Sequence, residues 1–184
     1  MSEFIRELTE EERNKPYAKY FNMPLASVTE EKMKLVASEP LSSELINGPE
    51  DIPMFFKGGL KKFQPGWGYL ENDAGYVANE MFFKNCTMEM IQWFFAWHPL
   101  EPLRYSLWDH KAHHSVAICD SDRKKILDPC IPLEEKSRGV VHFVVEDVGG
   151  GPDDILIHFM SPGELGFDMA DFHMPHITGV IGGW

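Results

Sequence analysis

The chain has 184 residues, 43% of them hydrophobic and 12% aromatic, which is enough to bury the core of one good-sized domain. Its 17 basic and 29 acidic residues give a formal net charge of -12. That balance argues against nucleic acid and anionic membrane surfaces as partners, since both are held through clustered Lys and Arg.

The opening MSEFIRELTEEERNK is charged throughout and has no signal-peptide core. No apolar run approaches the roughly 18 residues of a membrane span. A cytoplasmic location is expected. Cys86, Cys119 and Cys130 are odd in number and lack CxxC spacing, so neither a disulfide framework nor a cysteine zinc site is supported.

SVTEEKMKLVASEP predicts a short helix with Ser27 or Thr29 as N-cap and Pro40 beyond its end. LINGPEDIP and KGGLKK read as turn and loop. From Gly66 the pattern turns to strands, and GWGYLENDAGYVANEMFF predicts a hairpin turning within Glu71 to Gly75. CTMEMIQWFFAWH predicts a helix capped near Thr87 and stopped by Pro99. Pro102 suits the first turn of a second short helix running through Leu103 and Trp108. HHSVAICDSDRKKILDP predicts two strands around an Asp-Ser-Asp turn. GVVHFVVEDV and DDILIHFMSP predict two more, joined through GGGP. The class is α+β: a helical arm, then a mostly antiparallel sheet with one amphipathic helical insertion. ITGVIGGW ends apolar and strand-like on Trp184, whereas termini are usually exposed and frayed, so a fragment of a longer protein is expected.

The stretch WFFAWHPLEPLRYSLWDHKAHHSV concentrates aromatics and histidines. His110, His113 and His114 are candidate metal ligands, because neutral imidazole is the commonest protein ligand for zinc. HxxHH is no zinc signature, and a polar junction with solvated histidines is the simpler explanation of the spacing alone. Along GVVHFVVEDV, alternation puts Val140, His142, Val144 and Glu146 on one face. A carboxylate in that apolar row is costly unless paired, protonated or bound to a metal. Alternatively, Glu146 sits at a strand end and reaches water. His142 and Glu146 are roughly 13 Å apart along the strand, too far to share one ion. His158 reads as structural, and His173 and His176 lie in a loop. Trp93, Phe94 and Trp97 are either helix core or the wall of a pocket for a planar ligand, with Arg104 or Tyr105 adding a polar contact. No GxSxG elbow, phosphate loop or dinucleotide fingerprint is present.

WFFAWHPLEPLRYSLWDHKAHH and HFVVEDVGGGPDDILIHFMSPGELGFD, together with KPYAKYFNMPL and GYVANEMFF, resemble the 2,4-diacetylphloroglucinol hydrolase family, which includes the phloretin hydrolases. The resemblance runs from about Lys15 to the end. It implies a zinc-dependent hydrolase that cleaves the carbon–carbon bond between an acyl group and a phloroglucinol ring. It also implies a Bet v 1-like helix-grip domain: a curved antiparallel sheet wrapped on a long helix around a cavity. On that resemblance, residues 1–62 are an N-terminal arm that assists homodimerisation, and 63–184 are the first portion of the catalytic domain. His113 and Glu146 match the family's first metal ligands, and Tyr105 matches the tyrosine that contacts phenolic hydroxyls. The implied catalytic set is Tyr105, His113 and Glu146, with Trp93, Trp97 and His142 joining Tyr105 around a phenolic ketone. The family's remaining zinc ligands, a His and a Glu one helical turn apart, have no match here and are expected in a further C-terminal segment. A non-catalytic binder of an aromatic or apolar small molecule is the competing expectation, because helix-grip cavities also hold ligands without chemistry.

Overall fold

The structure, a computed structural model, describes residues 6–54, 64–173 and 179–183. Its helices are α1 (Glu10–Arg13), α2 (Glu30–Val36), α3 (Met88–Trp97), α4 (Pro102–Ser106) and α5 (Asp120–Leu127). Its strands are β1 (Gly66–Tyr69), β2 (Gly75–Ala78), β3 (His113–Ala117), β4 (Val141–Asp147), β5 (Pro152–Met160) and β6 (Gly182–Gly183). This is the expected α+β class: both sheets are antiparallel, and neither closes into a barrel among the described residues. No helix among those residues is long and apolar enough to cross a membrane.

Two compact units divide the chain. The first holds Met1–Leu25, Cys86–Ser161 and Ile181–Trp184; the second holds Ala26–Asn85 and Pro162–Val180. Both units are discontinuous, so the segment expected as an arm over residues 1–62 is shared between them.

In the second unit, Thr29 rather than Ser27 caps α2, its hydroxyl accepting from the Lys32 amide. The β1–β2 hairpin pairs Gly66 with Ala78 and Tyr69 with Gly75. Asp73 takes the left-handed conformation in its turn, with φ of 64°. Leu41 bridges to Gly68 alongside β1, and its backbone lies against that glycine so closely that a side chain there would collide. KGGLKK, over residues 57–62, lies outside the described residues.

The first unit carries the four-stranded sheet β3-β4-β5-β6. β4 and β5 pair in regular register from Val141↔His158 to Asp147↔Pro152. β3 and β4 pair with a register shift: His113 stands opposite Glu146 and Ser115 opposite Val145, so His114 is an extra residue in the ladder. Three small cores hold the unit together. Ala18 and Phe21 pack on Leu103; Ala96 packs with Ile126 and Val140; Tyr105 packs with Val116 and Val144. α3 begins where the Thr87 hydroxyl accepts from the Met90 amide, as the sequence predicts.

One expectation is corrected. The segment after β3 is helix α5, not a strand. Asp120 and Asp122 fill its first turn and Lys124 and Lys125 its last, which complements the helix dipole. Ile126 alone is buried, so α5 needs only one anchor in the core.

Candidate active site

β4 supplies two site residues from one face. Its inward row is His142, Val144 and Glu146, while Phe143 between them is exposed. The bulge in β3 then sets His113 directly across from Glu146. His113 Nε2 and Glu146 Oε1 are 3.8 Å apart, with 21% and 16% of their side chains exposed. Tyr105, from α4, is 5% exposed and donates its hydroxyl to the same Oε1. Its ring stacks on that of His113, centroids 4.5 Å apart. The structure thus brings Tyr105, His113 and Glu146 to one point.

Electrostatics there follow from burial. Desolvation raises the Tyr105 phenol well above its ordinary value, and the hydrogen bond to Glu146 adds to the shift. Tyr105 is therefore a donor throughout the neutral range. Desolvation lowers His113, outweighing the Glu146 and Asp109 carboxylates and the Tyr105 carbonyl, which favour the cation. Its buried Nδ1 makes no well-formed hydrogen bond among the described residues.

These three residues line a cavity of about 230 Å³. Phe94, Phe95 and His98 of the α3 end, Trp108, and Ile157 and Phe159 of β5 form the rest of the wall with His142. An apolar cavity of ~150 Å³ holds a benzene ring, so this one takes a single ring with substituents. Trp93 and Trp97 lie outside the wall. They stack on each other at 5.1 Å, Trp93 is half exposed, and Trp97 packs against Tyr17 and under the Arg104 guanidinium. The reason is helical phase: 94, 95 and 98 share the cavity face, and 93 and 97 share the next. Sequence reasoning named Trp93, Phe94 and Trp97 as helix core or pocket wall and missed Phe95, His98 and Phe159. The signal available was the i, i+1, i+4 spacing of Phe94, Phe95 and His98.

Other candidate histidines are placed elsewhere. His110 packs on Phe21, His114 is buried, and His158 is exposed on β5. His176 and the side chain of His173 lie outside the described residues. Arg104 pairs with Glu101, which also accepts from Lys15 and Tyr17.

A zinc ion fits between His113 and Glu146. Ligands at ~2.1 Å in a tetrahedral arrangement stand roughly 3.4 Å apart, close to the observed 3.8 Å. No group of three or more metal-capable His, Cys, Asp or Glu side chains occurs among the described residues.

A carboxylate, an imidazole and a phenol converging on an aromatic-walled pocket define a site for a small aromatic ligand. Comparisons with known proteins identify the family. The model of the DAPG hydrolase PhiG domain matches residues 46–184, and the chain belongs to that family. It is 31% identical over 161 residues to a phloretin hydrolase from Eubacterium ramulus, across 86% of this chain and 58% of that protein. It is 32% identical over 173 residues to 2,4-diacetylphloroglucinol hydrolases of a Pseudomonas species and of Pseudomonas protegens, across 92% of this chain and 57% and 55% of theirs. The chain thus spans less than three-fifths of the length of these relatives.

Proposed function

We propose that the protein hydrolyses the carbon–carbon bond between an acyl group and a phloroglucinol-type ring, in a substrate like diacetylphloroglucinol or phloretin. The observation that carries this reading is the meeting of Tyr105, His113 and Glu146 in the wall of a one-ring aromatic cavity. Family membership supports it, and the relatives are named for such substrates.

His113 and Glu146 would hold Zn²⁺, with further ligands from outside the described residues. A zinc ion held there would supply Lewis acidity, polarising a carbonyl oxygen or making water a better nucleophile. Tyr105 keeps its proton and turns its hydroxyl toward the ring, orienting a phenolic oxygen beside the acyl carbon. Phe94, Phe95, Ile157 and Phe159 hold the ring and exclude bulk water, which strengthens every polar contact inside. Water adds its oxygen to the acyl carbon. The bond to the ring then breaks, with its electron pair passing to the ring carbon, which takes up a proton. Hydroxyls flanking that carbon let the ring accept charge as a ketone tautomer, so it leaves readily. The products are a carboxylic acid and the deacylated phenol.

The sheet β3-β4-β5-β6 is read as part of a Bet v 1-like helix-grip domain, in a cytoplasmic homodimer. The test is incubation of the zinc-supplemented protein with an acylphloroglucinol, following acid and deacylated phenol by chromatography. Equimolar release of both is the expected result. Binding without release would make the chain a non-catalytic binder and overturn the reading.

A further inference from the structure

The cavity wall holds two histidines that the reaction above leaves unused. His142 is 1% exposed, and neither of its ring nitrogens has a hydrogen-bond partner among the described residues. His98 is 3% exposed, and its ring stands at 81° to that of His142, centroids 5.2 Å apart. Both rings line the cavity. His98 Nδ1 lies 2.9 Å from the Phe94 carbonyl, which can only accept, so that nitrogen carries the proton and Nε2 is an acceptor in the neutral ring.

Burying a polar atom without a hydrogen bond costs free energy, so native structures pair such atoms. His142 leaves two unpaired on a cavity wall, between the Phe159 ring at 4.5 Å and His98. We propose that His142, backed by His98, is a hydroxyl-reading subsite: it binds a ring hydroxyl of a polyphenol inside the cavity. This rests on the aromatic-ligand reading above and adds a specificity determinant to it.

The chemistry of the subsite decides which polar group it takes. A neutral imidazole offers one N–H donor and one bare nitrogen acceptor, and a phenolic hydroxyl matches both. Burial holds His142 down at about 4 and His98 at about 3, so neither is a cation near neutrality. A carboxylate would enter a region of phenylalanine and uncharged imidazole with no counter-charge, and its desolvation would go uncompensated. The subsite therefore selects phenols over aromatic acids.

The test uses direct binding of ring probes that carry no acyl group, so it is independent of whether the chain hydrolyses anything. Calorimetry on the full chain compares phloroglucinol, the similarly sized 1,3,5-trifluorobenzene and 3,5-dihydroxybenzoate. Wild type should bind phloroglucinol at least tenfold more tightly than the other two. His142→Phe should lose about tenfold for phloroglucinol while holding trifluorobenzene within twofold, and His142→Asn should recover part of the loss. In wild type, adding phloroglucinol should also move the ¹⁵N resonances of the His142 ring, a readout that needs no variant to fold. Equal losses for both rings in His142→Phe, no preference for phloroglucinol in wild type, or a His142 ring unmoved by phloroglucinol would each overturn the proposal. Hydrolysis assayed separately on an acylphloroglucinol reports on the reaction alone.

Discussion

His113 and Glu146 are cross-strand partners whose functional atoms lie 3.8 Å apart, although 33 positions separate them in sequence. Opposed pairs in an antiparallel ladder have their Cβ atoms within about 5 Å, so sheet pairing alone sets the spacing an ion requires.

Replacing Glu146 with Gln keeps size and hydrogen bonding but removes the charge that would complement a cation. Zinc affinity should fall by more than about a hundredfold, beyond the roughly 10–100-fold typical of losing a supporting partner of a ligand. Metal titration monitored by competition with a chromophoric chelator checks this. Unchanged affinity would remove Glu146 from the metal site.

Tyr105→Phe separates orientation from metal binding. The hydroxyl donates to the Oε1 that also faces His113, so its loss leaves that oxygen free. Zinc affinity should hold or rise, while kcat/KM for an acylphloroglucinol falls about tenfold, in line with one lost hydrogen bond of ~1.4 kcal/mol. Parallel metal titration and steady-state kinetics give both numbers. An unaltered kcat/KM would leave Tyr105 with a packing role only.

Phe95→Ala and Trp93→Ala test which aromatics form the wall. Phe95 lines the cavity and meets Phe159 edge-on at 5.7 Å; Trp93 is 51% exposed and outside it. Ring-probe affinity should drop severalfold for Phe95→Ala and stay within twofold for Trp93→Ala. The reverse order would return the wall to the tryptophans.

The two buried imidazoles also make stability depend on pH. Both titrate at 6.5 by reference, against about 4 for His142 and about 3 for His98 in the fold. Between pH 6.5 and 4 the unfolded chain binds protons that the folded chain excludes, so stability falls as pH drops and is level above about 7. Each histidine contributes a slope of up to ~1.4 kcal/mol per pH unit. Urea unfolding at pH 7, 6 and 5 measures this, and His142→Phe should reduce the slope. Equal slopes in variant and wild type would show that His142 charges freely in the fold.

Much of the fold was legible because its signals are local. Thr87 as a cap, Pro99 and Pro102 as stop and start, and the alternation along β4 and β5 need no tertiary information. α5 was not legible: DSDRKKIL buries only Ile126, and its Asp-Ser-Asp opening is also a good turn. The inward row of β4 was readable, so Glu146 stood out as a carboxylate among valines. Its partner was not readable from pattern, because the extra residue His114 shifts the register by one and decides which histidine faces Glu146. The cavity wall depended on helical phase over a single turn, which composition alone does not give.

The cavity is built from two kinds of backbone, and this bears on how its specificity can change. His113, His142, Glu146, Ile157 and Phe159 of its wall stand on paired strands, where a one-residue insertion or deletion would turn side chains to the opposite face. Another part of its wall, Phe94, Phe95 and His98, comes from one helical turn, in which single replacements leave the strand ladder untouched. Descendants of this chain can therefore explore new ring patterns by point substitution at Phe94, Phe95 and His98, while Tyr105, His113 and Glu146 stay where they are.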